Sequence, residues 1–132
     1  MNYLLDTHTL LWTLFTPERL GKKAAECILN ADESVAVSVV SFWEISLKFA
    51  LWKLDLHGVV PDDIPALVRQ SGLDILPITE ADAATFHHLP RQEHKDPFDR
   101  LIIWQALSHK LTLISVDSSF PAYKKLGLKI IW

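Results

Sequence analysis

Short apolar runs alternate with helical patterns from one end of this sequence to the other. The runs at residues 2–5, 34–40, 73–77, 111–116 and 128–132 read as strands. Between them, helices are predicted over residues 7–15, stopped by Pro17, and over residues 20–30, where Leu20, Ala24, Cys27 and Ile28 keep helical spacing. Further helices run from Ser41 to about Trp52, from Pro61 to the stop at Gly72, from Thr79 to about His88, and from Asp96 to about His109. Residues 118–123 read as a short helix or turn. This alternation predicts an α/β fold of three layers, α/β/α, with a central parallel sheet of about five strands. A chain of 132 residues fits one domain over residues 1–132, with roughly two-thirds of its unfolded surface buried. In such sheets ligands bind beyond the carboxyl ends of the strands.

One helix start carries more acid than a start requires. In His94-Lys95-Asp96-Pro97-Phe98-Asp99-Arg100, Asp96 suits the N-cap and Pro97 the first helical position, where its missing N–H is not needed. Asp99 then falls in the first turn, either reaching back to the cap or pointing out from the helix end. Three other acids occupy comparable places. Asp6 follows the first strand, Glu44 lies in the turn after the second within a Ser41-x-x-Glu44 capping pattern, and Asp117 follows the fourth. Each has an ordinary explanation as a cap. Together they belong to ends that a parallel topology gathers, provided the helix of Asp99 begins at that same edge.

Clustered carboxylates repel one another, and burial raises their pKa further. A fold keeps such a cluster only with compensating positive charge. Hard oxygen donors suit Mg²⁺ or Mn²⁺, and helix N-termini behind Glu44 and Asp99 favour the ionised forms. Net charge is -3, which disfavours a protein that holds nucleic acid by its own charge but not one that does so through a divalent cation. Cys27 is the only cysteine, so neither an internal disulfide nor a cysteine metal cluster is available, and a reducing cytoplasm is compatible. The start of the chain has no basic, signal-like segment, and no apolar run reaches the ~18 residues a membrane span needs.

Leu4-Leu5-Asp6-Thr7-His8, Ser41-Phe42-Trp43-Glu44-Ile45, Asp96-Pro97-Phe98-Asp99-Arg100-Leu101-Ile102 and Ser115-Val116-Asp117 resemble, in order, the motifs of PIN-domain nucleases, in particular VapC-type toxins of toxin–antitoxin pairs. The resemblance implies a PIN-like fold and metal-dependent cleavage of RNA, with dimers and inhibition by a small antitoxin. It matches Asp6, Glu44, Asp99 and Asp117 to the family's metal-binding acids. Ser115 matches a small hydroxyl residue that accompanies the last acid. Asp96 matches an acid found in part of the family, with the N-cap as its first role here. Asp6 and Asp99 are the expected direct ligands; Asp117 and Glu44 are expected to bind directly or through water, with one of them orienting the attacking water.

Around these acids, Lys48 is read as an i, i+4 ion-pair partner of Glu44 or a phosphate contact. Arg100 is read as a substrate contact or a solvated helix residue. His94 is a candidate proton shuttle or RNA contact, set against a loop histidine with neither role. Thr7 is expected to cap its helix, with a hydroxyl able to support a metal-bound water. Trp12, Trp43 and Trp52 are candidates for a dimer or antitoxin surface.

Other phosphate chemistries fit less well. A haloacid-dehalogenase-type phosphatase wants a second Asp two residues after Asp6, where His8 stands. No glycine-rich loop follows a strand, which disfavours Walker-type and Rossmann sites. A receiver domain wants an Asp after the third strand, where Leu76-Pro77 stands. The remaining alternatives are a PIN nuclease of RNA maturation and a non-catalytic interaction module on the same fold.

Overall fold

A computed structural model describes residues 2–30 and 32–132. Five parallel strands form one sheet: β1 (Tyr3–Leu5), β2 (Val35–Ser38), β3 (Asp74–Leu76), β4 (Thr112–Ile114) and β5 (Ile130–Ile131), in the order β3-β2-β1-β4-β5. The first crossovers build outward from β1 to β3, and the chain then returns to the other side of β1 to add β4 and β5. The order therefore reverses beside β1, which opens a crevice between the carboxyl ends of β1 and β4.

The helices are α1 (Thr7–Phe15), α2 (Lys22–Leu29), α3 (Val39–Ala50), α4 (Ile64–Gln70), α5 (Glu80–Thr85) and α6 (Pro97–Ser108). Side chains alternate across the strands, so the core divides in two. Leu4, Ala36 and Leu113 face α6, where Ile102, Ile103 and Ala106 are buried with Phe120 and Tyr123. Leu5, Val35, Val37 and Ile114 face α1, α2 and α4, through Leu10, Ala24, Ile64 and Val68. Helix α3 serves both cores, with Val40 in the first and Ile45 in the second. The result is the expected three-layer arrangement.

The strands are shorter than their apolar runs, and α3 begins earlier than its sequence pattern suggests. β2 ends at Ser38, which caps α3 by accepting from the Val40 N–H at 3.0 Å. The same hydroxyl donates to Gln105 Oε1 at 2.5 Å. The Ser41-x-x-Glu44 pattern is thus not a capping box: Ser41 lies inside the helix, fully buried, and Glu44 falls in its second turn. Burying Val40 in the core requires the helix to start before it. Gly21 precedes α2 under Trp132, where an added Cβ would meet the indole Cδ1 at 2.7 Å.

Candidate active site

The site forms where β1 and β4 end side by side. Leu5 pairs with Ile114, and Asp6 follows at once. Asp6 is 3% exposed and caps α1: Oδ1 accepts from the Thr9 N–H at 2.8 Å, and Oδ2 accepts from the Ser115 hydroxyl at 2.6 Å. Burial pushes the Asp6 carboxyl above its ordinary range, and the bonds from Ser115 and Thr9 offset only part of this. Because Asp6 is the cap, Thr7 is not. Thr7 instead donates to Glu44 Oε1 at 2.6 Å, and since that uses its only proton, Ser41 donates to it across 3.0 Å. The other Glu44 oxygen is paired with Lys48 one turn along. Burial pulls the Lys48 ammonium down, but Glu44 outweighs it, with Asp96 and Asp99 adding, and the amine stays above its ordinary value.

Helix α6 opens at the same edge. Asp96 is its N-cap, with Oδ1 accepting from the N–H groups of Phe98 (2.9 Å) and Asp99 (3.1 Å). That frees Asp99 to point away from the helix. Burial, then the charges of Asp96, Glu44, Asp6 and Asp117, push its pKa up to about 7. All five carboxylates therefore share one electrostatic neighbourhood. Asp117 ends the Ser115–Asp117 turn, with its N–H donating to Ser115 Oγ at 3.1 Å. Burial would raise Asp117, but the hydroxyl and N–H of Ser119 outweigh it and hold the carboxyl below its ordinary value.

The basic and imidazole candidates divide. Arg100 is held by the protein: its guanidinium donates to the carbonyls of Leu89 and Pro90 (both 3.3 Å) and to the Tyr123 hydroxyl (3.1 Å). It fastens the 89–95 loop to α6. His94, on that loop, stands with Nε2 3.3 Å from Asp99 Oδ2 and Nδ1 3.3 Å from the Tyr123 hydroxyl. Sequence reading placed no weight on Tyr123 or on Gln105. The second is a fully buried amide in α6 that donates to the Pro77 carbonyl (3.1 Å) and to Asp82 (3.2 Å). Only an amide in an otherwise apolar helix face hinted at it.

Of the three tryptophans considered for an interaction surface, Trp12 packs edge-on against Trp132 within the chain, centroids 5.6 Å apart. Trp43 and Trp52 are exposed; Trp43 lies one turn from the exposed Leu47 on α3, and the exposed Leu51 and Trp52 follow the end of that helix.

Two cavities flank the acids. One, of about 230 Å³, is lined by Thr7, Glu44, Lys48 and Lys53; the other, of about 400 Å³, by Arg91, Gln92, His94 and Lys95. Among the described residues, no three His, Cys, Asp or Glu side chains are already drawn together as a metal cage. The donor set nonetheless fits a hard cation: burial and the charges of Asp96, Glu44, Asp6 and Asp117 raise Asp99, while the nearby Lys48 ammonium is paired with Glu44. The internal bonds to Thr7, Ser115, Lys48 and Ser119 hold the outer acids aside, as repelling charges require.

The family model of the PIN domain matches residues 3–126. The chain belongs to the PIN domain family. Among curated PIN-domain relatives, the ribonuclease VapC22 of Mycobacterium tuberculosis is 30% identical over 129 residues, covering 98% of this chain and 97% of its own. Among solved PIN-fold structures, VapBC2 from Rickettsia felis, bound to a DNA fragment from their promoter, superposes with a TM-score of 0.68 at 16% identity, over 99% of this chain and 98% of that one. A toxin–antitoxin complex from Klebsiella pneumoniae gives 0.59 at 22% identity, over 99% and 97%.

Proposed function

We propose that this PIN-domain chain is an endoribonuclease that hydrolyses RNA phosphodiester bonds with Mg²⁺ or Mn²⁺ held by Asp6, Glu44, Asp99 and Asp117. It acts in the cytoplasm as the toxin of a toxin–antitoxin pair, as a homodimer. The observation that carries the reading is the gathering of these acids at the carboxyl edge of β1 and β4, in a chain related over its length to a ribonuclease. The likeness of fold to a chain of a toxin–antitoxin complex supports the partner, and the exposed Trp43, Leu47, Leu51 and Trp52 supply apolar surface for a protein contact.

Asp6, Glu44, Asp99 and Asp117 would hold a divalent ion, which would supply an acidified water and charge stabilisation at the phosphate. The chain's own residues set the stage for that. Ser115 and the Thr9 N–H fix Asp6, Thr7 fixes Glu44, and Asp99 keeps Oδ1 free of protein hydrogen bonds among the described residues. Lys48 and Lys53 on one side, and Arg91 and Lys95 on the other, offer cations to the flanking RNA backbone.

Cleavage of a structured RNA pool tests the assignment, with Mg²⁺, with chelator, and with Asp6→Asn or Asp99→Asn, after any co-purified protein has been removed. Cleavage is expected only from the wild type with metal, and each variant should lose at least about a hundredfold, as removal of a key electrostatic group does. Metal-independent cleavage, or variants that cut as well as the wild type, would overturn the assignment.

A further inference from the structure

We propose that His94 is a positioning residue for Asp99, with its imidazole held in one tautomer by Tyr123. The inference rests on the metal reading above and concerns how the chain prepares one of those acids. Tyr123 is fully buried, so its hydroxyl proton needs a partner within the protein. Its contacts among the described residues are two: Arg100 Nη1 at 3.1 Å and His94 Nδ1 at 3.3 Å. A guanidinium only donates, so Arg100 takes a lone pair of the hydroxyl oxygen and cannot receive its proton. The Tyr123 proton therefore points to His94 Nδ1, which acts as the acceptor. In the neutral ring the remaining proton then sits on Nε2, the nitrogen 3.3 Å from Asp99 Oδ2.

Donation runs from Arg100 to Tyr123 and from Tyr123 to His94, and the Nε2 edge of the ring then lies 3.3 Å from Asp99 Oδ2 as a close polar contact. Arg100 in turn is anchored on the Leu89 and Pro90 carbonyls, and the imidazole packs against Phe120 as well as Tyr123. The ring is thus oriented at both nitrogens and along its faces. The ring edge thereby bounds one oxygen of Asp99, and Oδ1 keeps no protein hydrogen bond among the described residues. Partners of this kind orient metal ligands in many sites and set affinity without touching the ion. Sequence alone separates His94 and Tyr123 by an entire helix and strand, so no local pattern announces the pair.

The test uses the full chain and Mn²⁺ alone as the probe, with free Mn²⁺ read by electron paramagnetic resonance and the imidazole nitrogens by ¹⁵N NMR. Wild type should show a protonated Nε2 and an unprotonated Nδ1. His94→Leu should bind Mn²⁺ about tenfold more weakly. His94→Gln places an amide donor near the Nε2 position and should recover affinity to within about threefold of wild type. Tyr123→Phe leaves ring and carboxylate in place, and should shift the ring toward the Nδ1–H tautomer while weakening Mn²⁺ binding. Wild-type-like binding by His94→Leu, failure of His94→Gln to recover it, or a protonated Nδ1 in the wild type would each overturn the positioning role. A wild type that binds no Mn²⁺ would overturn the metal reading instead, and the tautomer spectrum would still decide which nitrogen faces Asp99.

Discussion

Asp82 accepts hydrogen bonds from Gln105 Nε2 (3.2 Å) and, at the start of α5, from the Thr79 N–H (3.3 Å), while its other oxygen stands 2.9 Å from His109 Nε2. Burial pushes this carboxyl up, yet the bonds from His109, Gln105 and Thr79 outweigh it, and its pKa lies below the ordinary 3.8. A carboxyl held below its unfolded-state value stabilises the fold above that value, and the contribution is lost as pH falls through the folded-state value. Asp82→Asn should therefore cost about 1 kcal/mol at neutral pH, as loss of a charge-assisted bond does. The denaturation midpoints of variant and wild type should converge below about pH 4. A constant gap across that range would show that the carboxylate charge is not what stabilises α5 against α6. The helix start at Thr79 was visible in the sequence. Gln105 and His109 were not, because a mid-helix amide and a last-turn histidine carry no local sign of what another helix will bring to them.

At the scale of elements, helix starts did most of the placing. Asp96 caps α6 and turns Asp99 outward, a division already legible in the Asp96-Pro97-x-Asp99 spacing. Asp96→Asn should keep both fold and cleavage, since Asn caps as well as Asp, whereas Asp96→Ala should lose about 1 kcal/mol in chemical denaturation. An Asp96→Asn variant as inactive as Asp99→Asn, yet equally stable, would give Asp96 a part in the chemistry. The start of α3 was harder to read. Two hydroxyls, Ser38 and Ser41, compete for the cap, and the Glu three residues after Ser41 favours the wrong one. The choice is made by burial: Val40 joins the core beside α6, and Ser38 finds Gln105 across the interface. Strand order was likewise out of reach. Alternation predicts parallel strands, but only the packed molecule shows that β4 returns to lie against β1 and so brings Ser115 to Asp6.

For the molecule as a whole, the proposed metal site predicts that the neighbouring acids repel one another until a cation relieves them. A ligand that binds only the folded state adds about 2.7 kcal/mol at a hundred times its dissociation constant. Melting curves should accordingly move up by several degrees with excess Mn²⁺. The shift should vanish in an Asp6→Asn, Asp99→Asn double variant and reverse with chelator in the wild type. Equal shifts in wild type and double variant would place the ion elsewhere on the surface.

The bond from Ser115 to Asp6 joins positions 109 residues apart. Long-range closures of this kind form late in folding, because the entropy of the intervening loop must be overcome before the contact rewards it. A growing chain that has emerged only as far as α6 already carries Asp6, Glu44 and Asp99, but it lacks β4, Asp117 and the Ser115 hydroxyl that holds Asp6. On the proposed reading, translation yields an inert polypeptide until the last two strands are made. An inhibitor would then have an interval, set by the ribosome and by folding, in which to meet the chain before it cuts.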